Sequence, residues 1–564
     1  MLSLLRRAVV PTLCLVLCLV AGFLTIRPSQ GEAAADEIAG GFGFDTVALN
    51  SAPRDAKSLR DVQPGLERIR AWISAVGAAV AVTDLRGQGR AGDACLVDPR
   101  DDSATVFAVP GSGGTEYPRF TLEPDGLPYD STMAPMGCVP ADFDEDGSMD
   151  FLVYYWGRSP VLFLNQGGAA PEAIGFRAHE LVNPMQVWNT SALAVADADG
   201  DGDGHLDVMA GNYFPDGARV LDPEATGDQR MRMQHSMGKA RNGGTNRLLL
   251  TTPTGEAGAM PEIADASTAL PQRSANAWTL AFGWQDLTGN QLPDLYVAND
   301  FGPDNLLVNS STPGTVRFDE VTGRRDLTTP GSQVLGRGSF KGMGVAFNYS
   351  PGDDLPMIMV SNITSPFALQ ESNFAFVADG DRSELLAGRA PYAQAAERLG
   401  LARSGWSWDV KSGDFDNSGT EELLQTTGFL KGERNRWPEL QELAMGNDDL
   451  LLRPEAWPKF GPGDDLSGHE HNPLWVRGDD GRYFDVAERL DIGHTHLSRG
   501  LAFGDVDGDG GLDALVANQW EDSVLLRNRT PHADSAAFLR LLRPGAGGGL
   551  VDAIGCRSLP WRRD

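Results

Sequence analysis

One phrase recurs along this 564-residue chain. A run of small or apolar residues leads into a short acidic loop, then an apolar run, a turn, and a second apolar run. It reads CVPADFDEDGSMDFLVYYW from Cys138 to Trp156, LAVADADGDGDGHLDVMAGN from Leu193 to Asn212, and LAFGWQDLTGNQLPDLYVAND from Leu280 to Asp300. It returns as VKSGDFDNSGTEELLQTTG from Val410 to Gly428 and LAFGDVDGDGGLDALVANQ from Leu501 to Gln519. Two weaker copies, Val80 to Asp98 and Met343 to Asn362, keep the apolar flanks and lose most of the acids. Aligned on the first loop position, the copies start at 84, 142, 199, 286, 349, 414 and 505. The period is about sixty residues with two insertions, which marks seven copies of one supersecondary unit.

The second half of each unit decides the architecture. A third apolar run ends on Asn (VLFLNQG to Gly167, NLLVNSS to Ser311, SVLLRNRT to Thr530), and a fourth carries phrases such as FDEVTGRRDL from Phe318 and FDVAERLDI from Phe484. Four short strands per unit make the blade of a β-propeller. The expectation is therefore an all-β, seven-bladed β-propeller of four-stranded blades with short helical insertions, spanning 75–535. A parallel α/β fold would need a helix after each strand, and the sequence has none there. The innermost strands (AVAVTD, LAVAD, LAFGD) are small and apolar, as expected of strands covered on both faces near the axis.

The acidic loops read as metal sites. In Asp142, Asp144, Asp146 and Asp150, carboxylates stand at loop positions 1, 3, 5 and 9, with Gly147 at 6 to permit the sharp turn. The same grid holds for Asp199, Asp201, Asp203, Asp207 and for Asp505, Asp507, Asp509, Asp513. An alternative register for the second loop begins at Asp197, and Asp199 is preferred because the earlier start puts His205 at position 9. Two loops are partial and expected to bind weakly or not at all: Asp286, Asn290, Asp294 with Thr288, and Asp414, Asp416, Glu422 with Ser418. All-oxygen donors select calcium over zinc or copper. An EF-hand would need Glu at position 12, where Val153, Ala210 and Val516 stand.

Composition narrows the partners. Acids outnumber bases by 77 to 47, a formal charge of −30, which argues against nucleic acid and anionic membrane surfaces. Arg6 and Arg7 precede an uncharged run from Ala8 to Ile26, so residues 1–35 read as an export signal or an uncleaved N-terminal anchor. A membrane enters only through that anchor, and the bulk of the chain is expected outside the cytoplasm, secreted or at the cell envelope. Residues 36–74 form an N-terminal extension. Cys95 and Cys138 are the pair available for a disulfide.

The loops with their Phe-Gly lead-in, Phe282-Gly283 and Phe503-Gly504, resemble the FG-GAP/VCBS repeats of integrin α-chain propellers. DLYVANDFGPDNLLVN, SRGLAFGDVDGDGGLDALVAN and AFLRLLRPGAGGGLVDAIGCR more closely resemble the cartilage-acidic-protein-like family, whose propeller precedes a small β-rich ASPIC/UnbV domain. Asp552 to Gly555 match the start of that domain and Cys556 to Asp564 depart from it, so 536–564 are expected to hold only its opening. The resemblance implies calcium binding and extracellular recognition and names no ligand.

The insertions carry the remaining signals. Pro215 to Asn246 is basic and Met-rich, and Gly428 to Arg477 contains a short helix predicted from Pro438, with Leu440, Leu443 and Ala444 on one face. His469 and His471, or His494 and His496, are weak metal candidates, and polar turns are the simpler account. Trp278, Trp284, Trp406 and Trp408 read as packing rather than as a sugar platform. No catalytic motif is present. The expected function is an exported, calcium-binding module for a protein or glycan ligand, acting in adhesion, and not an enzyme; the alternative is a calcium-dependent polysaccharide lyase.

Overall fold

The computed structural model describes residues 2–25, 31–167, 171–200, 203–228, 230–327, 329–338, 341–365, 371–446, 448–531 and 540–553. Seven antiparallel sheets of four strands follow one another as the seven blades. Their inner strands are Ala79–Thr83, Ala134–Ala141, Thr190–Ala196, Trp278–Gln285, Val345–Asn348, Ser407–Gly413 and Ser498–Gly504. In blade 4 the outer strand, Phe318–Gly323, pairs in parallel with the short Arg389–Ala390.

Burial runs differently from the expectation for the inner strands. The second strand is the one covered on both faces: Asp93–Asp98, Asp207–Asn212, Asp294–Asp300, Glu422–Thr427 and Asp513–Asn518 are buried at every position. Inner strands such as Trp278–Gln285 are buried only where they begin and are half-exposed beyond, because the ring leaves an axial channel that their far ends face. Their small residues serve packing between blades instead. A Cβ on Gly283 would stand 2.9 Å from Val345 and Phe347 of the next blade, and one on Gly413 would stand 2.5 Å from Leu512 and 3.1 Å from Phe503. The Phe282-Gly283 pair thus sets a ring against Gly211 of the preceding blade and leaves a hollow for Phe347 of the next.

The ring is closed by a strand outside the span 75–535 expected from sequence. Phe44–Ala48, within the supposed N-terminal extension, pairs antiparallel with Val524–Asn528 and is the outer strand of blade 7. Among the described residues the last repeat has no fourth strand of its own there, and an open sheet edge is a liability that the start of the chain covers. Phe44 also packs edge-on to Phe415 at 5.7 Å. Between blades 1 and 2, Cys95 and Cys138 form a disulfide.

Three segments distant in sequence form one cap over the end of the ring where the inner strands begin. Residues 59–76, the insertion after Asn212 and the insertion after Gly428 share a single apolar core with the first residues of the inner strands. The predicted helix spans Trp437–Ala444 with Pro438 in its first turn, and Trp437, Leu440 and Leu443 are buried in this cap. Trp72 is its hub, with rings of Phe429, Trp457, Trp406 and Phe460 at 4.7, 5.2, 5.3 and 5.6 Å. Arg499 ties cap to ring by donating to the carbonyls of Ala75, Gly428 and Phe429 at 2.8, 2.7 and 3.2 Å. Burial pulls its guanidinium down to about 9, so it stays charged at neutral pH. Among the described residues, no helix is long and apolar enough to cross a membrane.

A chain beginning at Ser51 would expose the edge of Val524–Asn528 and lose the buried Leu49, a residue worth roughly 1.5–3 kcal/mol. It is expected to melt at lower temperature and to aggregate, read by scanning calorimetry and light scattering. Melting indistinguishable from the full chain would contradict closure by this strand.

Candidate metal centres

Each acidic loop joins an inner strand to the second strand of its blade, so the loops all lie at the end of the ring away from the cap. In blade 2 the carboxylates of Asp142, Asp144 and Asp146 bring one oxygen each within 4.8 Å of the others. The backbone shapes this convergence. Asp142 accepts the amides of Asp146 at 3.1 Å and Gly147 at 2.9 Å, and the turn needs left-handed backbone at Glu145 (φ 60°) and Gly147 (φ 92°). Blade 7 gathers Asp505, Asp507 and Asp509 in the same way, with Gly508 and Gly510 donating to Asp505. There Arg529 approaches Asp509 at 3.3 Å and Arg527 approaches Asp507 at 3.6 Å.

The blade 3 loop begins at Asp197, two residues ahead of the preferred Asp199. Asp207 accepts the amide of Ala198, and Gly204 donates to Asp197, just as Asp150 accepts Phe143 and Gly147 donates to Asp142 in blade 2. The loop is therefore longer by two residues, and among the described residues its converging acids are Asp197, Asp199 and Asp207. Asp203 instead accepts the amide of His205, and Asp201 lies outside the described residues.

In blade 6, ranked weak from sequence, Asp414, Asp416 and Glu422 come as close together as the acids of the fuller loops. The extra methylene of Glu422 lets its carboxylate reach the cluster while it accepts the amide of Phe415 at 2.8 Å. Blade 4 brings Asp286 and Asp294 to one loop, but the Asn290 amide nitrogen donates to the Asn309 carbonyl and its oxygen accepts from Leu292. Blade 1 carries a cation of its own: the Arg86 guanidinium is 2.8 Å from Asp93, both buried. In blade 5, Arg477 donates to Ser350 at 2.6 Å and Arg382 to the Asp354 carbonyl.

The acid that starts each second strand has a role that spacing did not reveal. Asp150 accepts the amides of Phe143 and Asn165, both at 2.8 Å, so it bridges loop and third strand. Asp207 does so with Ala198 and Thr251, Asp294 with Leu287 and Asn309, and Asp513 with Val506 and Asn528. Each oxygen keeps a second lone pair, so bracing the hairpin and facing a cation are compatible.

The loops crowd carboxylates together, and burial disfavours their charged form. Burial, with repulsion from Asp146 and Asp144, pushes Asp142 up to about 7, against the Gly147 amide. Burial likewise raises Asp207 and Asp513 to about 7, Asp294 to about 6 and Glu422 to about 9, with neighbouring acids adding to the shift. Burial, with repulsion from Asp144 and Asp142, also holds Asp150 well above the usual carboxylate range. Convergent, all-oxygen, crowded anionic donors fit a hard divalent cation of calcium's size.

The histidines do not converge. His471 meets Asp485 at 2.7 Å, and His469 meets the Gly432 carbonyl at 2.9 Å. The rings of His494 and His496 lie 5.5 Å apart. Sequence reasoning also missed a second contact of the loop face. Arg543, on the C-terminal hairpin of Leu542–Pro544 and Leu550–Asp552, pairs with Glu145, which also accepts the Ala546 amide and faces His205 at 2.7 Å. Residues 554–564, where the expected departure from the ASPIC/UnbV pattern falls, lie outside the described residues.

No protein-family model and no curated protein matches the chain. Among solved structures, BBS1N in complex with ARL6DN is 10% identical with a TM-score of 0.37, over 85% of this chain and 99% of that one. An Agrocybe aegerita lectin specific for non-reducing terminal N-acetylglucosamine is 10% identical with a TM-score of 0.37, over 82% and 92%. Trypanosoma rangeli sialidase is 11% identical with a TM-score of 0.33, over 87% of this chain and 60% of that one. At such values nothing about ligands passes from them to this chain, and function rests on its own residues.

In the metal-free chain the raised acids ionise less readily folded than unfolded, where carboxylates titrate at about 4. Between about pH 4 and their folded values of about 7 to 9, the folded state holds more protons, so stability falls as pH rises. A bound divalent cation keeps the acids ionised and removes that slope. The melting temperature in chelator is expected to decline from about pH 5 to pH 8 and to flatten in calcium; a rise over that interval in chelator would contradict the crowding.

Proposed function

We propose that this chain is a calcium-braced β-propeller of the FG-GAP/VCBS type, a member of the cartilage-acidic-protein-like family, that serves as a binding module for a protein or glycan outside the cytoplasm. One observation carries the reading: four hairpins, in blades 2, 3, 6 and 7, each converge three carboxylates at the equivalent place in the ring. Acidic turns that merely faced water would gain nothing by turning their carboxylates on one another. Calcium relieves the repulsion within a loop and stiffens the hairpin that Asp150 and its equivalents already brace. The Cys95–Cys138 disulfide supports an oxidising compartment, and Arg6, Arg7 and the uncharged run after them support export. Calcium here is a structural ion, and recognition falls to the surfaces that the stiffened ring presents.

At about millimolar calcium and an affinity typical of extracellular modules, each loop adds roughly 0.4–1.4 kcal/mol, and four loops roughly 2–6 kcal/mol. The melting temperature is expected to fall in chelator and to return with calcium, while equimolar magnesium fails because it demands a tighter octahedral shell. Asp142→Asn with Asp505→Asn is expected to remove about half of the calcium-dependent gain. Unchanged melting on chelation would overturn calcium bracing. For recognition, saturable retention on a matrix-protein and glycan array is expected, and formation of unsaturated ends on acidic polysaccharides would mark an enzyme instead.

A further inference from the structure

The cap closes one end of the axial channel, and between it and the open mouth lies a cavity of about 350 Å³. At about 30 Å³ per water this is room for about a dozen waters, or for one small organic molecule. The wall is largely aromatic, with Trp72, Trp156, Tyr213, Phe282, Trp406 and Trp408 among its side chains. Aromatic faces attract cations and bury flat apolar bodies.

Four charged residues line the cavity, and three are already committed. Arg499 donates to carbonyls of the cap and of Ser498 and lies over the Trp408 ring at 4.4 Å. Lys411 faces Asp409 at 3.6 Å, and Asp409 accepts the amide of Leu501 at 3.0 Å. Asp300 is different. It is 7% exposed, its Oδ2 accepts the Tyr213 hydroxyl at 2.8 Å, and its Oδ1 has no hydrogen-bond partner. Lys341, the cation nearest to it in effect, is paired with Glu371. Asp300 also borders a smaller cavity of about 40 Å³ beside Trp72, Trp406, Trp437 and Trp457, so the carboxylate stands in the partition between two aromatic spaces. A buried carboxylate oxygen left unpaired is costly, and a donor carried by a ligand would complete it.

The approach favours the same sign of charge. Every inner strand leaves the channel toward a hairpin loop, and the loops beginning at Asp142, Asp197, Asp286, Asp414 and Asp505 bring more acids to the open mouth than Arg527, Arg529 and Arg543 offset. The chain as a whole carries −30, a field that draws cations in and repels anions.

We propose that the capped channel is a binding site for a small organic ammonium ion carried on an apolar body, with Asp300 as the carboxylate that receives the ammonium and the tryptophans as the walls that hold the body. Benzylamine, benzyl alcohol and benzoate share a ring and differ in charge, and titration calorimetry on the full chain reads their affinities. Benzylamine is expected to bind at least tenfold more tightly than the other two. Asp300→Asn, which keeps an acceptor for Tyr213, is expected to abolish that preference. Leu193→Trp, which fills the channel at a half-exposed wall position and leaves the hydrogen bonds of Asp300 intact, is expected to weaken benzylamine at least tenfold and keeps the test standing if Asp300→Asn does not fold. Absence of saturable binding, equal or tighter binding of the alcohol or benzoate, a preference that survives in a folded Asp300→Asn, or an unchanged affinity in Leu193→Trp would each overturn the proposal.

Discussion

A buried carboxylate at the start of the second strand holds the blade together wherever the repeat keeps it. Asp93, Asp150, Asp207, Asp294, Glu422 and Asp513 occupy this place in six of the seven blades, each accepting an amide from the loop that turns the chain back. Most also accept one from the third strand, so a single side chain fixes the hairpin and its neighbour. The arrangement puts a negative charge where water is excluded, and something positive must answer it. In blade 1 the answer is covalently built in, as Arg86. In blades 2, 3, 6 and 7 further acids crowd the same loop, and in blade 7 Arg527 and Arg529 approach them.

The two ends of the ring are physically unlike. One carries the acidic hairpins, shaped by local backbone geometry and repeated because the blade is repeated. The other is sealed by three segments unrelated to the repeat, which pool their aromatic residues around Trp72 and are pinned to the ring by Arg499. A loop face built on charge and a cap built on burial leave between them a channel that is polar at its mouth and apolar at its base.

Much of this was legible in the residues. The period of the acidic phrase and the four apolar runs within it led to seven four-stranded blades, and Pro438 with Leu440 and Leu443 led to the cap helix. Gly283 and Gly413 were visible, but their use as hollows for Phe347 and Phe503 of the next blade was not, because those contacts join residues sixty or more positions apart. The register of the blade 3 loop is ambiguous in the sequence for a local reason: DADGDGDG offers several starting acids, and it is the pairing of Asp207 with Ala198 that sets Asp197 beside Asp199 in the cluster.

The chain's own order of residues determined the blade, the number of blades and the loops where acids converge, since a hairpin and its turn are set by neighbours a few positions apart. Tertiary structure alone decided how the ring closes, which segments form the cap, and that Asp300 is left with an oxygen unanswered inside the channel. Those outcomes depend on pairs such as Phe44 with Asn528, and Arg499 with Ala75. Such pairs carry no periodic signature, for nothing in the sequence near one partner announces the other.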